Sequence, residues 1–133
     1  MERVAMVSLN GDDVAYPFSR LREHRVVMDR VGGRPIVVFY QPGTASALDR
    51  ARIADSRDAG ATGVFHAALG GRPLTFLWQD GAFVDLETGS RWSLLGLAVA
   101  GLLTGARLEP IVHSTHFWFA TTAFYPNVRI WRP

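Results

Sequence analysis

Apolar residues in this chain come in short bursts separated by Gly-Gly, Asn-Gly and Asp-Gly pairs. That punctuation predicts hairpins, because both central residues of a tight two-residue turn need positive φ. Val4–Phe18 reads as one hairpin about Asn10-Gly11, its second strand ending at Pro17. Ser19–Val31 reads as a short helix, with Ser19 as N-cap and Leu21, His24 (or Arg25) and Met28 on one face. After Gly32-Gly33-Arg34-Pro35 comes a β-branched and aromatic strand, Ile36–Tyr40, broken by Pro42-Gly43. Ser46, with Asp49 three residues on, resembles a capping box for a helix over Ala47–Arg57. Val64–Leu69, Pro73–Trp78 and Ala82–Leu86 form a meander around Gly70-Gly71 and Asp80-Gly81, with Leu74, Phe76 and Trp78 on one face.

The longest apolar run follows an acidic turn, in Asp85–Gly105, and is expected to be the centre of the core. Periodicity cannot separate buried strands from a buried helix over Ser90–Gly105, although its glycines favour strands with tight bends. Arg107–His116 reads as a strand, Phe117–Phe124 as a helical turn and Val128–Trp131 as a last short strand. The expected fold is mainly β (α+β). It is a compact antiparallel sheet system, barrel-like or sandwich-like, with one or two short helices, in a single domain over residues 1–133.

Composition narrows the chemistry. There is no cysteine, which excludes disulfides, thiolate ligands and cysteine nucleophiles. Every one of the 14 basic side chains is arginine, which excludes Schiff-base and lysine general-base chemistry. The net charge is only +2, and acids interrupt the nearest basic cluster, Arg20–Arg30, so nucleic acid is not an expected partner. Leu94–Leu103 is too short to span a bilayer, and no signal peptide is visible at Met1. Oligomeric state and compartment are not legible.

The segments NGDDVAYPFSRLREHRVVMD, VGGRPIVVFYQPGTASALDR, GRPLTF, FVDLETGSRW with a following AVAG, and HFWF together resemble the bacterial and archaeal family named domain of unknown function 3179. The resemblance covers most of the chain and implies no settled activity. It also implies relatives that are often exported or membrane-anchored. Many relatives carry Tyr-Cys-Pro-x-Cys where this chain has Tyr40-Gln41-Pro42-Gly43-Thr44. With the helix histidine matching His24, that cysteine pair suggests a metal or redox site in those relatives; a thiolate site is impossible here. Met28 and Thr121 stand where asparagine and an aromatic residue are usual, changes that widen a pocket or make it more apolar.

Several constellations have both a chemical and a structural reading. His113 and His116 share a face on a helical turn and take opposite faces on a strand; with Glu87 or His24 as third donor they can hold zinc, copper or nickel. His24 oriented by Asp29 makes a general base, with Gln41 and Thr44 supplying hydrogen bonds; equally, both residues can serve local structure. Asp85, Glu87 and Ser90 can bind a cation or form a plain acidic turn. The Gln41–Ser46 turn can cradle an anion but lacks a phosphate-loop lysine, which excludes a nucleotide loop. Met28, Tyr40, Trp92, Trp118 and Thr121 are candidate walls of an aromatic ligand pocket.

These signals lead to a small-molecule or metal-ion binding module, a transition metal being the conceivable cofactor. The alternative is a cofactor-independent enzyme with a histidine general base. A purely structural or interaction domain is a third reading.

Overall fold

The structure, a computed structural model, describes residues 2–43 and 60–133. The helix expected over Ala47–Arg57, and Thr44, lie outside the described residues.

The described residues build three main sheets. Sheet 1 has the order β12-β1-β2-β13, from β1 (Arg3–Leu9), β2 (Asp12–Pro17), β12 (His113–Phe117) and β13 (Arg129–Ile130), with β13 parallel to β2. Sheet 2 has the order β3-β4-β5, from β3 (Val26–Val31), β4 (Arg34–Gln41) and β5 (Ala61–His66). Sheet 3 has the order β11-β10-β9-β8, from β8 (Phe76–Gln79), β9 (Ala82–Asp85), β10 (Arg91–Trp92) and β11 (Ala98–Ala100). A small ribbon, β6 (Ala68–Leu69) with β7 (Arg72–Pro73), links sheets 2 and 3, and two helices, α1 (Phe18–His24) and α2 (Trp118–Phe124), complete the described elements. Neither of these two helices is long and apolar enough to cross a membrane.

The sheets stack as layers and do not close into a barrel among the described residues. The two-residue side-chain period of a strand explains how. In β4, Ile36, Val38 and Tyr40 face sheet 1, while Val37 and Phe39 face sheet 3. In β1, Ala5 and Val7 face sheet 2, while Val4 and Met6 meet Trp118 of α2, Tyr125 and Val128. Both strands are buried on two sides, and this is why they read as unbroken apolar runs.

All four dipeptide signals are turns with positive φ at both positions: Asn10-Gly11, Gly32-Gly33, Gly70-Gly71 and Asp80-Gly81. Two hairpin tips also touch. Asn10 Nδ2 donates to the Gly32 carbonyl at 3.1 Å, and the Gly32 amide donates to Asp12 Oδ2 at 3.0 Å. A Cβ on Gly32 would sit 2.3 Å from the Leu9 carbonyl oxygen, so this contact requires glycine.

Three expectations are corrected. The helix over Ser19–Val31 stops at His24; Arg25 takes φ 65° and the chain continues as β3. The β-branched pair Val26-Val27 finds better partners in Phe39 and Val38 across the Gly32-Gly33 turn than in a helix. Met28 therefore lies on a strand and does not share a helical face with Leu21. The apolar run after the acidic turn is not the centre of the core: Leu95 and Leu102 are 76% and 80% exposed, and the run folds into turns around β11. The Arg107–His116 strand begins only at His113; before it, Arg107 and Pro110 form isolated bridges to Leu97 and Phe65.

Candidate functional site

A ladder of aromatic rings joins sheet 2 to sheet 3. Phe39 stacks on Phe83 at 4.3 Å and meets Phe76 edge-on at 5.4 Å; Phe76 meets Trp92 at 5.5 Å, and Phe83 meets Trp78 at 5.1 Å. Its two outer ends, the exposed Trp78 and the buried Trp92, are among the residues lining a cleft of about 530 Å³. Arg25, Gln41, Pro42, Arg91 and Ser93 also line it.

The acidic turn sets one wall. Asp85 is fully buried, and its Oδ1 accepts from the Trp92 indole Nε1 at 2.8 Å. Its Oδ2 accepts from the Thr88 amide at 2.7 Å and the Thr88 hydroxyl at 2.8 Å. Ser90 Oγ shares a 2.7 Å hydrogen bond with Thr88 Oγ1 and accepts from the Leu103 amide at 3.0 Å. Glu87 points elsewhere, its Oε1 accepting from the Thr75 amide at 2.8 Å. The carboxylates thus have separate structural tasks, and Asp85-Leu86-Glu87-Thr88-Gly89-Ser90-Arg91-Trp92 is a unit that fixes an indole.

Arg25 lines the same cleft. Its backbone takes φ 65°, ψ −39°, a sparsely populated region for a non-glycine residue that costs on the order of 1–3 kcal/mol. The fold holds it there by hydrogen bonds at both ends: the Arg25 amide donates to the Leu21 carbonyl at 2.7 Å, and the Arg25 carbonyl accepts from the Tyr40 amide at 2.9 Å. The guanidinium carbon lies 5.0 Å from the Trp78 ring centroid, a cation–π contact, and Nε donates to the Arg22 carbonyl at 3.2 Å. Sequence reasoning passed over Arg25 in favour of its neighbour His24; a strained φ leaves no mark in the sequence at an arginine.

The structure brings together only some of the expected site residues. Gln41 and Trp92 line the cleft. Tyr40 is buried on the other face of β4, toward sheet 1, packed edge-on against Phe18 at 5.6 Å. Met28 is 36% exposed on β3. His24 packs edge-on against Trp131 at 5.3 Å, and Asp29 is engaged by other groups: Asp29 Oδ2 accepts from the Tyr16 hydroxyl at 2.8 Å and from Arg129 Nη2 at 3.1 Å. Burial, together with the hydrogen bond to Asp29 and its charge, pushes the Tyr16 phenol far above its usual range.

His113 and His116 sit on β12 opposite Val7 and Val4, three residues apart on a strand and so on opposite faces. His113 Nε2 hydrogen-bonds Thr62 Oγ1 at 2.8 Å, and His116 Nε2 hydrogen-bonds Ser114 Oγ at 2.8 Å. Among the described residues no three His, Asp or Glu side chains are grouped to hold a metal ion. Trp118 and Thr121 lie on α2, against sheet 1 and apart from the cleft; Thr121 is buried and its hydroxyl donates to the Phe117 carbonyl at 3.2 Å.

A family model described as protein of unknown function (DUF3179) matches residues 1–128. The chain belongs to this family. No curated protein and no solved structure matches it. In this DUF3179 member, Gln41 and Pro42 are among the residues that line the cleft.

Proposed function

We propose that this protein is a small-molecule binding module whose ligand occupies the cleft between Arg25 and Trp92. The observation that carries the reading is the pairing of two indoles at the ends of a rigid aromatic ladder with polar groups from separate elements: Arg25 after α1, Gln41 from β4, and Arg91 and Ser93 from the β10 region. An apolar wall with a few convergent polar groups is the usual make-up of a ligand site. Fixed aromatic walls also lower the ordering cost of binding. The metal-ion alternative lacks a gathered donor set among the described residues. The general-base alternative has Asp29 engaged by Tyr16 and Arg129.

A fragment screen followed by indole Nε1–H resonances tests the proposal. Binding fragments should shift Trp78 and Trp92 together and leave Trp118 and Trp131 in place, and Trp78→Ala should weaken them. Fragments that shift only Trp118 or Trp131, or none of the four indoles, would reject the cleft as the site.

A further inference from the structure

Charge in the cleft is one-sided. The ionisable side chains among its described lining residues are Arg25 and Arg91, both cationic, and no carboxylate is among those described residues. By contrast, Arg129 pairs with a carboxylate, Asp29, at 3.1 Å. In the cleft, Arg25 spends only its Nε on a backbone carbonyl, and its terminal nitrogens make no hydrogen bond to a described residue. A second open groove, of about 490 Å³, differs: Glu109 lines it together with Arg34 and His66, and no Phe, Tyr or Trp is among its described lining residues.

Resting on the cleft as the ligand site, we infer that the ligand is a small amphipathic anion. A planar apolar body lies against the exposed Trp78 indole, and a carboxylate or phosphate head is held by Arg25 and Arg91. Three features converge on this class. Guanidinium groups present paired N–H donors that match oxyanions in plane. The indole faces favour a flat apolar body over a branched one. Arg25 is kept in a strained backbone conformation with its guanidinium over Trp78, so the cation is placed before the ligand arrives. Gln41, exposed at the end of β4, adds an amide able to donate to the same head.

The test compares 2-naphthoate, 2-naphthyl phosphate and neutral 2-naphthamide by calorimetric titration, with the indole resonances locating each. The anions should bind about tenfold or more tighter than the amide, as expected for charged hydrogen bonds. That advantage should shrink as salt rises. Arg91→Gln, at an exposed position, should weaken the anions more than the amide and so remove most of the preference. Arg25→Gln should do the same, provided its thermal unfolding remains cooperative. A carboxylate preferred over a phosphate, or the reverse, identifies the head. Equal affinity for anions and amide would overturn the anion assignment while leaving the cleft as a site. No binding of any of the three at millimolar concentration would overturn the cleft itself.

Discussion

Asp85 draws all three of its donors from within seven residues, whereas Asp29 holds Tyr16 and Arg129, which lie 13 and 100 residues away. Asp85 is fully buried; the Asp29 side chain is 15% exposed and its arginine 43%. The first cluster fixes one indole at the wall of a cleft. The second ties β2, β3 and β13 across the interface of sheets 1 and 2. A buried carboxylate supplied by its own turn is a module that can fold early and locally. One supplied by distant elements reports that the sheets have docked.

The comparison is broken most severely at Asp85. Asp85→Ala would leave the Trp92 indole N–H and the Thr88 amide without their acceptor, costing about 3–5 kcal/mol of stability by denaturant titration. It should also release Trp92, seen as a red-shifted, quenchable emission. A cost below about 1 kcal/mol would show that water reaches the turn easily.

Tyr16→Phe removes a donor to a charged acceptor that keeps its arginine, so about 1–2 kcal/mol is expected. The same residue gives the alkaline limit. The unfolded phenol ionises near pH 10. The folded phenol keeps its proton to higher pH, because burial and then Asp29 raise its pKa. Between those limits the native state binds more protons than the unfolded state, so stability falls as pH rises above about 10 and is unaffected below. Wild type should show that fall in urea midpoints measured from pH 8 to 11, and Tyr16→Phe should lose that component of it. Equal slopes would reject the assignment.

Smaller still is the Asp29–Arg129 coupling. With the arginine near half exposed, a double-mutant cycle should give under about 1 kcal/mol. The last effect has the opposite sign. Arg25→Gly relieves a strained φ, so stability should stay within about 1 kcal/mol of wild type while anion binding falls. A large loss of stability would mean that the Arg25 side chain is structural.

How much could be read in advance follows the same division between near and far. Asn10-Gly11, Gly32-Gly33, Gly70-Gly71 and Asp80-Gly81 announced their turns because positive φ at both positions is a local steric demand. Phe117–Phe124 was legible as helix over Trp118–Phe124. The helix after Ser19 was extended too far, since Val26-Val27 satisfies a helical spacing as well as a strand and only pairing with β4 decides between them. Gln41 and Trp92 were singled out from the segments around them, and both line the cleft; that Arg25 and Arg91 line it with them was not legible.

By itself, the amino-acid sequence determined the hairpins, the mainly β class, the arginine-only basic chemistry and the acidic turn that grips Trp92. All rest on groups close in the chain or on composition. Tertiary structure alone decided which face of each histidine, tryptophan and arginine is presented to what. Asp29 met Tyr16 and Arg129, His113 and His116 parted to opposite faces, and two arginines 66 residues apart came to line one cleft because layered sheets, not sequence distance, set those neighbours.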